Sequence, residues 1–113
     1  MSVNRVILVG NLGGDPQIRY VQQRPVAEMQ LATNEPAYTD ASGVKVPEIT
    51  EWHRLVMWDR NAELAERFLR KGTKIYLEGR LRTRIWEDRN AIKRQVTEVY
   101  VERFEILSRG ENR

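Results

Sequence analysis

Residues 49–86, ITEWHRLVMWDRNAELAERFLRKGTKIYLEGRLRTRIW, carry most of what decides the fold. The first ten alternate: His53, Leu55 and Met57 have one parity, and Trp52, Arg54, Val56 and Trp58 the other. Successive strand side chains point to opposite faces, so this reads as a strand with one core face. From residue 59 the period changes. Ala62, Ala65 and Leu69, with Leu64 and Phe68, make an apolar stripe at helical spacing over 59–72. Asp59 or Asn61 suits the N-terminal cap, and Gly72 the end. Alternation then resumes over 73–86. Arg80, Arg82, Arg84 and Trp86 share one parity; Leu81, Thr83 and Ile85 share the other, the parity expected to face a core.

Working outward, VNRVILVG (3–10) is rich in β-branched residues and stops at Gly10, so it reads as a strand. NLGGDP (11–16) is a turn cluster. QIRYV (17–21) begins a second extended stretch; QQRP interrupts it, and VAEMQLATN (26–34) resumes it, with Ala27, Met29 and Leu31 on one side and Glu28 and Gln30 on the other. Residues 35–48, with two prolines and a glycine, read as a long surface loop, and long loops in compact domains are often functional. EDRNAIKR (87–94) is a polar connection, and QVTEVYVERFEIL (95–107) is the last strand, with a bulge expected where alternation slips. The order strand, strand, strand, helix, strand, strand predicts an all-β domain with one short helix. A five-stranded Greek-key barrel with the helix between its third and fourth strands fits that order. Periodicity alone does not choose among small barrels.

The chain of 113 residues is expected to form one domain, 1–107, followed by a short polar end, 108–113. It has no cysteine and one histidine, which removes disulfides and Cys- or His-rich metal sites. Neither a membrane-length apolar run nor a signal-peptide pattern is visible, so the expected location is the cytoplasm. Net charge is +3, but it is unevenly placed. Residues 67–94 hold ten Lys/Arg against three Asp/Glu. Such asymmetry suggests an electropositive face for an acidic ligand.

Trp52, Arg54 and Trp58 repeat the theme of Arg80, Arg82, Arg84 and Trp86: cations and indoles on the parity opposite the core. Cations neutralise phosphates without reading sequence, and indoles stack on unpaired bases. Together they suit a single strand better than a duplex, whose bases are already stacked. Two other readings stay open here: the indoles are core residues, or they pack under arginine stems as cation–π pairs. GNLGGDP lacks the Lys and Ser/Thr of a phosphate-binding P-loop and reads as a turn. Glu51, His53 and Asp59 are the one carboxylate–histidine grouping, on a mainly apolar face, and no catalytic or metal constellation is expected from them. No cofactor is expected.

The motifs NRVILVGNLGGDPQIRY, LATNE, TEWHR, LAERFLRKG, IYLEGRLRTRIW and TEVYVE resemble those of the bacterial single-stranded DNA-binding proteins, in the same order and spacing, from about residue 3 to 107. The resemblance implies an OB-fold barrel, a homo-oligomer, usually a tetramer, and sequence-independent binding of single-stranded DNA in replication, repair and recombination, associated with the nucleoid. It implies stacking by Trp52, Trp58 and Trp86, and by a further aromatic whose place falls on Ala37 or Tyr38, with Tyr38 favoured because the loop is about one residue longer than in the family. It implies phosphate contacts by Arg54, Arg60, Lys71, Arg82 and Arg84. Relatives usually continue into a disordered tail with an acidic tip that recruits replication and repair proteins. This chain stops at SRGENR, which puts recruitment of such partners in doubt. The rival functions are a primosome-type accessory protein, a protein-assembly module for an acidic partner, and a nuclease.

Overall fold

The computed structural model describes residues 1–110; residues 111–113, part of the expected polar end, lie outside the described residues. Eight strands and one helix run in the order β1 (Val6–Leu12), β2 (Gln17–Val21), β3 (Arg24–Glu35), β4 (Tyr38–Thr39), β5 (Lys45–Val46), β6 (Ile49–Trp58), α1 (Asp59–Phe68), β7 (Lys74–Glu87) and β8 (Lys93–Ser108). The main sheet has the order β1-β7-β8-β6-β3-β2. Strand β1 also pairs with β3, through Asn11 with Ala32 and Leu12 with Leu31. That second pairing closes β1, β7, β8, β6 and β3 into a ring. All pairings in it are antiparallel except β6 with β8. This is the five-stranded Greek-key barrel of the OB type, with α1 between the third and fourth barrel strands.

The core fills the ring from alternate positions: Ala27, Met29 and Leu31 of β3, Leu55 and Met57 of β6, Ile75 and Leu77 of β7, Val99 and Val101 of β8. The helix adds Ala62 and Ala65, and the residue after it adds Leu69. The helix is shorter than its stripe predicts and ends at Phe68, whose ring is exposed. Neither expected cap acts as one. Both Asp59 carboxylate oxygens accept from Arg24, at 2.9 and 2.7 Å, and Asn61 donates to the Glu102 carbonyl at 3.2 Å. Tertiary partners took the side chains that local spacing assigned to the helix end. Gly72, at φ 88°, serves the turn into β7.

The second extended stretch is a hairpin. Val21 pairs with Arg24 across a two-residue turn, Gln22–Gln23, with φ of 50° and 68°. Two left-handed residues match the twist of a hairpin, but Asn and Gly are the types that announce such a turn. The loop 35–48 contains a second hairpin, β4–β5. Asp40 organises it by accepting from the Ser42 and Val44 amides, both at 2.9 Å. Asp88 does the same between β7 and β8, accepting from Asn90 and Ile92 at 2.9 and 3.0 Å.

The expected bulge in the last strand is present. Glu78 pairs with Arg103 and Gly79 with Val101, so Glu102 is the extra residue. A side chain at Gly79 would meet the Tyr100 carbonyl oxygen at 2.1 Å, so only glycine permits this approach. Beyond the pairing of β8 with β6 at Val99 and Tyr100, β7 and β8 run out of the barrel as a two-stranded ribbon. The expectation that Leu81, Thr83 and Ile85 face a core is therefore corrected: Leu81 is 48% and Ile85 66% exposed. Alternation places residues on a common face but does not say how far the barrel extends beneath it. The two halves of β7 should answer to truncation differently. Leu77→Ala, in the core, is expected to cost about 2–5 kcal/mol. Ile85→Ala is expected to stay within about 0.5 kcal/mol of the parent. Thermal or urea melts of the two variants check this.

Candidate nucleic-acid interface

Paired residues on neighbouring strands share a face, so the register assembles the site. Strand β3 aligns Val26 with Trp58, Gln30 with Arg54 and Ala32 with Trp52. The parallel step aligns Val56 with Tyr100. The ribbon aligns Tyr100 with Arg80, Glu98 with Arg82, Val96 with Arg84 and Arg94 with Trp86. One outer face of the barrel and ribbon thus carries Trp52, Arg54, Trp58, Arg82, Arg84 and Trp86, as their parity predicts.

The indoles are not core residues. Trp52 is 55% and Trp86 43% exposed, and Trp58 is half-buried. Two of the three sit with arginines. The Arg24 guanidinium lies 4.7 Å from the Trp58 ring and that of Arg84 5.5 Å from Trp86. Trp52 instead lies against the β1–β2 turn, where a side chain at Gly13 would come within 2.5 Å of its ring. That turn is tied down by the Gly13 amide donating to the Gln30 carbonyl at 2.9 Å. The Lys71 amide donates to Asp15 at 2.8 Å in the same turn. Beside Trp52 a groove of about 330 Å³ runs between this turn and β3, lined by Gly13, Gly14, Gln17, Glu28, Gln30 and Arg54 among others. GNLGGDP is a turn that shapes the groove wall.

At the centre of the face is a residue the sequence reading did not single out. Glu98, on β8, has a side chain with 0% exposure. Arg54 donates to it through Nε at 3.1 Å from the β6 side. Arg84 donates through Nε and Nη2, both at 3.0 Å, from the β7 side. Burial pushes the carboxyl up, but the hydrogen bonds and charges of Arg84 and Arg54 outweigh it and hold Glu98 below its ordinary 4.5. Tyr100 was also missed; Arg82 lies 5.2 Å from its ring. The available signal was the turn at 87–94. Counting outward from it pairs Arg82 with Glu98 and Arg80 with Tyr100.

The remaining sequence candidates are more scattered. Arg60, in the first turn of α1, is exposed, and so is Lys71. Tyr38 is exposed on the separate β4–β5 hairpin, paired with Val46. Arg80 keeps a long ion pair with Glu102 at 3.8 Å. Among the described residues, Arg82, Arg60 and Lys71 have no carboxylate within ion-pair distance, and no group of three or more His, Cys, Asp and Glu is placed to hold a metal. His53 meets the Thr33 hydroxyl at 2.9 Å. No described helix is long and apolar enough to cross a membrane.

A family model, the single-strand binding protein family, matches residues 3–107. The chain belongs to that family. A Bacteroides thetaiotaomicron protein named single-stranded DNA-binding protein is 46% identical over 109 residues, covering 96% of this chain and 68% of that protein. A solved structure described as a Plasmodium falciparum SSB complex with ssDNA superposes with a TM-score of 0.83 at 33% identity, covering 96% of this chain and 97% of that one.

The two arginines of the ribbon differ in what they hold, and stability should show it. Arg84→Ala removes two of the three hydrogen bonds to buried Glu98 and is expected to cost about 1.5–3 kcal/mol. Arg82→Ala is expected to be nearly silent in melts. The carboxyl of Glu98 is lowered in the fold, so its contribution is complete above 4.5 and is lost as pH falls below it. The melting-temperature gap between the parent and Glu98→Gln should accordingly be constant near neutral pH and narrow in acid.

Proposed function

We propose that the protein binds and protects single-stranded DNA without regard to sequence, in replication, repair and recombination, by stacking bases on its indoles and holding phosphates with its cations. The observation that carries this is one continuous face on which exposed Trp52 and Trp86 alternate with guanidiniums. Exposed indoles offer a surface to unpaired bases, each worth about 1–3 kcal/mol, and a duplex has no free base faces to offer in return. Family membership and the likeness to a structure of an SSB complex with ssDNA support the same reading. In this reading Trp52, Trp58 and Trp86 are the stacking residues, with Tyr38 a further aromatic carried on the β4–β5 hairpin. Arg54, Arg60, Lys71, Arg82 and Arg84 meet the backbone. The protein works by binding and not by catalysis, on the nucleoid in the cytoplasm.

Assembly is part of the function. Strand β1 leaves Ile7 and Val9 exposed on its outer side, with Val3 preceding them. An apolar strip on a strand is a surface for a second copy. The working form is a homo-oligomer, a tetramer in this family's manner. Light scattering of the free protein is expected to give that mass at micromolar concentration, and a monomer would overturn it. An accessory protein of dimeric type would give half the mass.

Titration with oligo(dT) is expected to quench tryptophan fluorescence strongly, and a duplex of equal length weakly. Trp86→Ala should cost about 1–3 kcal/mol per stacked base with little change in salt dependence. Arg82→Ala should weaken all sequences alike and make the slope of log affinity against log salt shallower by about 0.7 per site. Equal affinity for duplex and single strand would exclude the stacking reading, and displacement of DNA by an acidic protein alone would favour an assembly module.

A further inference from the structure

The face that should meet a polyanion has an acid at its centre. Glu98 is one of two buried polar side chains among the described residues, with Thr73, and it points to the outer face and not into the barrel core. Burying a carboxylate is costly and is offset only by close, well-aligned partners. Those partners are two of the arginines assigned to phosphate. They come from β6 and β7, which flank β8 and do not pair with each other. A neutral side chain at this position would have left both cations free. The fold instead holds them to an anion.

The atoms engaged show what is left over. Arg54 uses Nε, so both of its Nη groups are unspent on Glu98. Arg84 uses Nε and Nη2 and keeps Nη1. A guanidinium has five N–H donors in a rigid plane, so fixing one edge aims the other. A side chain already held loses less freedom when a ligand arrives. The same carboxylate cancels one of the two positive charges. Arg84 also stands 5.5 Å from Trp86, so its orientation bears on the stacking platform.

We propose that Glu98 is a positioning residue of the single-strand interface, which aims Arg54 and Arg84 outward and limits the pair to a single net positive charge. The proposal rests on the single-strand reading above. It makes the interface less dependent on salt than its arginine count implies. Charge acts on the salt slope through counterion release, whereas orientation acts on the affinity that persists at high salt. The two effects of one residue are therefore separable.

The test is oligo(dT) titration over a salt series, by tryptophan fluorescence, with circular dichroism confirming the fold of each variant. Glu98→Gln is expected to steepen the slope by about 0.7 per site, which is about five-fold more affinity lost per ten-fold rise in salt. It should also bind more weakly than the parent at the highest salt. In an Arg54→Gln/Arg84→Gln background the same change should alter neither quantity, because residues that act through one another are not additive. Glu98→Asp keeps the charge but draws it back from the guanidiniums. Its slope should match the parent while its high-salt affinity falls, and this variant decides the matter if Glu98→Gln does not fold. A Glu98→Gln slope equal to the parent's, or a Glu98→Asp slope steeper than the parent's, would overturn the proposal, as would an undiminished effect in the double-arginine background. A purely structural Glu98 would lower the melting temperature and leave the slope alone. Failure of the parent to bind oligo(dT) would overturn the functional reading itself, and is distinct from all of these.

Discussion

Strands β6 and β8 run parallel and pair over two positions, Leu55 with Val99 and Val56 with Tyr100. This short seam joins the two halves of the molecule. On one side are the β2–β3 hairpin and β6; on the other are β7, β8 and, through its main pairing, β1. Parallel neighbours need a long connection, and here the helix and the whole of β7 supply it. Inside the barrel the seam brings Leu55 against Val99, both buried. Outside, it brings Arg54 within reach of Glu98. Core and candidate interface depend on the same register, because a slip of one residue would turn Glu98 inward and Val99 outward.

That register also explains how a row of three arginines is tolerated on one strand. Like charges side by side repel, yet each arginine has a different neighbour across the ribbon. Arg80 faces Glu102 at 3.8 Å, Arg84 holds Glu98, and Arg82 lies over Tyr100. Other outer-face cations are answered in the same way: Arg19 by Glu28, Arg24 by Asp59 and Arg94 by Asp88. The face is basic by sequence but largely ion-paired in the fold. Exposed pairs of this kind contribute little to stability. Arg54 and Arg84 differ from these in holding a carboxylate that is fully buried.

The β7–β8 ribbon extends this surface beyond the barrel. Its two sides are both wet: one shows arginines and Trp86, the other Leu81 and Ile85. It needs no core because its backbone is paired throughout and its turn is organised by Asp88. Trp52 is set differently, by a turn in which glycine leaves room for the ring. The candidate interface therefore combines one exposed indole on the barrel wall with another on a projecting arm.

The sequence by itself determined the order of the five barrel strands and the helix, the core face of β3 and β6, and the common face of Trp52, Arg54, Trp58, Arg82, Arg84 and Trp86. These follow from period, and period is local. It also determined the bulge in β8, since alternation fails there within a few residues. The hairpin turn at Gln22–Gln23 was not legible, because neither residue is a type that left-handed backbone favours. The loss of the α1 caps was decided by Arg24 and by the β8 carbonyls, which are distant in sequence. The exposure of Leu81 and Ile85 was decided by where the barrel stops. Above all, the pairing of Glu98 with Arg54 and Arg84 belongs to the tertiary structure. It joins residues 44 and 14 positions apart, and only the closure of the ring brings β6 and β7 to either side of β8.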